Sequence, residues 1–154
     1  MRISITVALL IASLAFALPG FAAKTPQESA IAARQGLMHL RAFNLGPLIG
    51  MIKRDIPYDA EQASIAANNL KTLLAMDMRA AWMEGTSHEA YPDKTDALPA
   101  IWAADSDFAQ HGEEFADAVK RLAAVAGDGL DTMAPAAKKL AQSCKGCHDD
   151  YRAD

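Results

Sequence analysis

The chain has 154 residues, 51% of them hydrophobic and 22% charged, with a formal net charge of −4. That length supports one domain around one core, and the acidity disfavours nucleic acid and anionic lipid as partners while leaving basic protein patches open. With 2 cysteines in all, a disulfide-rich scaffold is excluded.

Residues 1–22 read as an export signal. Arg2 supplies a positive start, Ile3 to Leu18 is apolar apart from Ser4, Thr6 and Ser13, and Pro19-Gly20-Phe21-Ala22 puts small residues before a cut after Ala22. The apolar run of about 16 residues falls short of the roughly 20 that a spanning helix needs. The expectation is delivery to a bacterial periplasm, with no membrane span once the signal is cleaved and residues 23–154 forming the domain. Arg2 is the only charged residue removed, so the mature net charge becomes −5.

Turn signals divide the remainder into four helical patterns, an all-α reading. The first runs from Pro26 to Arg54, with Thr25 as cap and Pro26 in the first turn. Ile31, Met38, Leu45 and Ile52 recur every seven residues as its stripe, beside Leu48 and Ile49, and Pro47 predicts a bend rather than a stop. Tyr58 reads as a turn residue, and Asp59 as the cap of a second helix extending to Ala81, with Ala63, Ala66, Leu70, Leu73 and Leu74 inward. Residues 84–99 contain Gly85, Pro92 and Pro99 and read as a surface loop. A third helix starts between Leu98 and Asp105 and runs to Ala126, burying Phe108, Phe115, Val119 and Leu122. Gly127-Asp128-Gly129 ends it. The fourth starts at Asp131 or Thr132 and carries Met133, Ala137, Leu140, Cys144, Cys147, His148 and Tyr151 on one side. Four helices with mostly short connections predict an antiparallel four-helix bundle with a cofactor between the helices.

Both cysteines lie in Cys144-Lys145-Gly146-Cys147-His148, the spacing that attaches a c-type haem. Positions i, i+3 and i+4 share a helix face, so two sulfurs and one imidazole converge on one plane. A disulfide or thioredoxin-like pair is the alternative, but a redox C-x-x-C opens a helix after a strand, whereas this one closes a helical pattern. A zinc site needs two further ligands at matched spacing, and His39, His88 and His111 form no such pair. His148 is therefore the proximal iron ligand, and one covalent haem c the cofactor.

For the other face of the iron, Met38 lies on the first helix's stripe, and Met/His ligation suits electron transfer. A buried methionine also simply fills space, and Met51, Met76, Met78, Met83 and Met133 compete. His39 is turned about 100° from Met38, His111 falls beside its helix's stripe, and His88 sits in the loop; none reads as a ligand.

These residues carry a resemblance to the cytochrome c′ family over essentially the whole mature chain. It rests on Ala33-Arg34-Gln35, Ile56-Pro57-Tyr58-Asp59-Ala60, Pro99-Ala100-Ile101-Trp102 and the run Cys144 to Arg152. The resemblance implies that the distal position, four residues after Arg34, is Met38. High-spin members carry Leu, Phe or Tyr there and admit NO or CO; the low-spin, c-556-type branch carries Met as sixth ligand. It also implies Arg34 near a haem propionate, Arg152 beside the proximal face, Trp102 near the haem, and homodimers formed through the first two helices. As surface residues the two arginines would be merely solvated, and Trp102 a core aromatic.

Two functions follow. The first is a periplasmic one-electron carrier with a Met/His-ligated haem and a redox protein as partner. The second is a five-coordinate protein that binds NO or CO. No nucleophile, acid/base pair or distal His/Arg pair is identifiable, so the reading is not an enzyme.

Overall fold

Thr25 starts the first helix by a reciprocal cap. Its hydroxyl accepts the Glu28 N–H at 3.1 Å, while the Glu28 carboxylate accepts the Thr25 N–H at 2.9 Å. The computed structural model describes residues 23–153, so the export-signal reading of residues 1–22 lies outside them. The helices are α1 (Pro26–Lys53), α2 (Ala60–Leu73), α3 (Phe108–Val125) and α4 (Leu130–Tyr151). Among the described residues there is no strand, only an isolated antiparallel bridge between Ala97 and Arg152. No helix among them is long and apolar enough to cross a membrane.

α1 continues through Pro47 and stops at Arg54, whose left-handed backbone (φ 63°) turns the chain. The Asp59 carboxylate then accepts the Gln62 N–H at 2.9 Å and starts α2, as a cap should. Each helix packs against its two neighbours in a ring, α1 on α2, α2 on α3, α3 on α4 and α4 on α1. One end of the ring holds the apolar core: Leu48 and Met51 of α1, Leu70 of α2, Leu122 of α3, and Met133 and Leu140 of α4 are all buried. It draws on the C-terminal half of α1 and α3 but reaches into α2 and α4 from their N-termini, which makes the bundle antiparallel. Each such leucine contributes roughly 1.5–3 kcal/mol by leaving water. Tyr58 pins this end: its hydroxyl donates to the Ala126 carbonyl at 2.9 Å and accepts the Gly129 N–H at 3.0 Å.

Two helix boundaries differ markedly from the sequence reading. α2 ends at Leu73, not Ala81. Leu74 and Ala75 bond three residues back at 3.1 Å, tightening the last turn. The Asp77 carboxylate then captures the Arg79 N–H at 3.1 Å, a local alternative to continued helix that starts a separate 3-10 turn at Arg79–Trp82. α3 starts later than expected, at Phe108, because Pro99–Trp102 forms its own 3-10 turn. Along α1, Ile31 and Leu48 are buried as expected and Leu37, Asn44 and Met51 are buried beside them, while Met38, Leu45 and Ile52 are half-buried. The buried amide of Asn44 is satisfied locally and across to α2, donating to the Leu40 carbonyl at 2.8 Å and accepting from Asn69 at 2.9 Å.

The connection between α2 and α3 covers the other end of the ring. Leu98 N–H donates to the Tyr151 carbonyl at 2.9 Å, Ala153 N–H donates to the Asp96 carbonyl at 2.8 Å, and Gln35 donates to the Lys94 carbonyl at 2.6 Å. Lys94 also pairs with Glu28.

Candidate functional site

Opposite the leucine core, the helices diverge around a cavity of about 880 Å³, within the range of roughly 300–1,000 Å³ common for small-molecule sites. α4 lines one wall with Cys144, Cys147, His148 and Tyr151; α1 lines another with Arg34, Leu37, Met38, Arg41 and Leu45. The convergence of the motif side chains follows from their i, i+3, i+4 spacing on one helix. Tyr151 anchors that helix: its buried hydroxyl accepts the Asp107 N–H at 2.9 Å and thereby stands in for a side-chain cap on α3.

Cys144 and Cys147 form no disulfide, and burial pushes both thiol pKa values up. Burial, then the charge of Arg152, pushes His148 down, favouring the neutral imidazole that a metal ion requires. Among the described residues no three His, Cys, Asp or Glu side chains gather as a metal cage. The donor set is thus two thiols and one imidazole beside a largely apolar wall.

Arg34 is the test of what fits here. It is only 3% exposed, and its guanidinium donates to the Ala81 carbonyl, the Thr86 hydroxyl (2.6 Å) and carbonyl, and the Thr95 hydroxyl (2.9 Å). All are neutral, and among the described residues no carboxylate lies within 4.0 Å of it. Buried charge without a counter-ion is costly, so a carboxylate-bearing group in the cavity would offset it. Haem c meets each requirement: flat apolar bulk, two thioether attachment points, an iron for His148, and propionates for Arg34.

The expected site residues are not all equally placed. Cys144, Cys147, His148, Met38, Arg34 and Arg152 line the cavity. Arg152 sits at its mouth, side chain 57% exposed and 3.5 Å from Asp96. Trp102 stands outside the lining, its indole donating to the Trp82 carbonyl at 2.9 Å; Trp82 itself faces the cavity, 5.4 Å from Arg34. The early end of α2 explains this, because the freed chain folds Trp82 inward. Of the competing methionines, Met76 and Met78 line the cavity; Met51 and Met133 are buried in the core and Met83 is exposed outside it.

Sequence reasoning passed over Trp82 and Arg41, and placed His111 beside its helix's stripe without assigning it to the site. His111 is half-buried, 5.6 Å from the Tyr151 ring and 3.2 Å from Asp150. Arg41 had a signal: it follows Arg34 by seven residues and Met38 by three, so all three share one face.

Comparison with known proteins adds the lineage. The family model described as Cytochrome C′ matches residues 29–152. A cytochrome c-554 of Cereibacter sphaeroides is 39% identical over 125 residues, covering 81% of this chain and 93% of its own. A cytochrome c′ of the same species is 38% identical, covering 93% and 95%. Among solved structures, a nitric oxide complex of a mutant cytochrome c prime from Alcaligenes xylosoxidans superposes with a TM-score of 0.72 at 34% identity, covering 86% of this chain and 99% of that one.

Proposed function

The chain belongs to the cytochrome c′ family of c-type haem proteins, and from that premise we propose a periplasmic one-electron carrier whose iron is held by His148 and closed by Met38. One covalently attached haem c is the cofactor and supplies the Fe(III)/Fe(II) couple. Cys144 and Cys147 attach it, His148 offers a neutral imidazole, Arg34 receives its propionate edge and Arg152 lies beside the proximal face. Trp102 supports this edge from behind Trp82. The supporting observation is that Met38 lines, from α1, the same cavity that His148 lines from α4. Thioether and imidazole retained in both oxidation states leave little to reorganise, which suits electron transfer. A low-spin, c-556-type assignment and a non-enzymatic role follow from that ligand pair, with export by the N-terminal signal and a redox protein as partner.

A second reading has its own support: a mutant of a related cytochrome c prime has been solved as a nitric oxide complex. In that case Met38 stands free and the distal side admits NO or CO.

The visible and near-infrared spectrum of the purified protein decides between them. Met/His ligation gives a low-spin spectrum with a weak ferric sulfur-to-iron band, and Met38→Ala converts it to high spin. A high-spin wild type with rapid CO uptake would establish the gas-binding reading. An unchanged spectrum in Met38→Ala would move the sixth ligand elsewhere, with Met78 the next variant.

A further inference from the structure

Arg41 is the second cation that α1 sends into the cavity, one turn beyond Met38. Its guanidinium lies 4.3 Å from the centre of the Phe115 ring, and Nη1 approaches the Met38 sulfur at 3.8 Å. Nε is buried and has no hydrogen-bond partner. Among the described residues no carboxylate lies within 4.0 Å. Arg34 is satisfied by four hydrogen bonds to the covering connection, whereas Arg41 has an aromatic face and a thioether. Cys144 and Cys147 line the same cavity, and thioether formation leaves both sulfurs neutral.

We propose that Arg41 sets the reduction potential of this site: a half-buried, anion-free guanidinium between α1, α3 and α4 that favours the reduced haem iron. Reduction removes one positive charge from the centre. A cation fixed beside it, in surroundings too apolar to screen it, repels the oxidised state more than the reduced one. The N–H directed at Met38 acts in the same direction, since a thioether that accepts a hydrogen bond gives less electron density to ferric iron. The charge effect does not depend on Met38 being a ligand and holds for a five-coordinate iron as well.

The test is an equilibrium redox titration of the haem-loaded wild type, Arg41→Leu, Arg41→Gln and Arg41→Lys, with Arg79→Leu as control. Arg79 is 91% exposed and paired with Asp77, so its removal leaves the potential in place. Loss of the Arg41 charge, in Leu and in Gln, lowers the ferrous-to-ferric ratio at a given ambient potential about tenfold, equivalent to ~59 mV for a one-electron couple. Lysine keeps the ratio within about threefold of wild type. Unchanged potentials in Leu and Gln would overturn the proposal, since the charge would then be neutralised by the haem's own carboxylates or by water. A fall in Lys equal to that in Leu would overturn it too, by tracing the effect to packing on Phe115. If Arg41→Leu fails to accumulate, Arg41→Gln carries the decision. Spin state, read in the same spectra, reports separately on Met38.

Discussion

Arg34 on α1 and Thr86 in the α2–α3 connection meet inside the protein, where the guanidinium donates to both the hydroxyl, at 2.6 Å, and the carbonyl of Thr86. They are 52 positions apart in sequence. The Thr86 hydroxyl in turn donates to the Met83 carbonyl at 2.6 Å, and Arg34 and Thr86 are both almost fully buried. This contact roofs the cavity. Arg34→Met keeps the length of the side chain but removes every donor, so urea unfolding of the haem-loaded protein should show a loss of about 2–4 kcal/mol. A loss below ~0.5 kcal/mol, the usual range for surface substitutions, would mean that Arg34 is solvated.

At the opposite end, Tyr58 joins the α1–α2 turn to the α3–α4 turn through one hydroxyl that both donates and accepts. Tyr58→Phe preserves the ring and leaves the Ala126 carbonyl and Gly129 N–H without that partner. The expected cost is about 1–2 kcal/mol in denaturant unfolding, with the haem spectrum unchanged. A shifted spectrum would show that the two ends of the bundle are coupled.

Glu28 caps α1 and pairs with Lys94 across the connection. Its hydrogen bond to Lys94, then that to the Thr25 N–H, hold the carboxyl at about 2, below its ordinary 4.5. A depressed carboxyl stabilises the fold above its unfolded value and loses that contribution as pH falls toward the folded one. The wild-type melting temperature should therefore fall between pH 4.5 and 2, and Lys94→Met should flatten that part of the curve. Added salt should shrink the difference, because the pair is near the surface. An unchanged slope in Lys94→Met would refute the assignment.

Phe43 is 77% exposed, with Leu40 one turn earlier at 48%, and Ile65 on α2 at 49%. A related cytochrome c′ has been described with ligand-controlled dimer dissociation. We expect a homodimer through α1 and α2, and Phe43→Lys should shift the species seen by light scattering to monomer without altering the haem spectrum. A wild type that is monomeric at high concentration would remove this interface.

Replacing both Cys144 and Cys147 with serine should give protein from which all haem is extracted under denaturing conditions. Covalent haem persisting on a denaturing gel would refute the attachment.

Much of this was legible before the fold was known, because it is local. Helix starts at Thr25 and Asp59 depend on one side chain reaching an N–H three residues away, and five residues of one helix are enough to bring Cys144, Cys147 and His148 together. The end of α2 was misread for an equally local reason: Asp77 competes for backbone donors that helix periodicity assigns to the helix.

What the amino-acid sequence determined by itself was the attachment motif, the four helices and the pairing of Met38 with the motif as candidate ligands. Tertiary structure alone decided which of several equivalent-looking residues face the cavity. Arg34 and Arg41 are both arginines on a helix, and nothing within a few positions of either says that one is roofed by Thr86 and Thr95 and the other is laid on Phe115. Burial of a charge is a property of the distant segments that close over it, and those come together only when the bundle does.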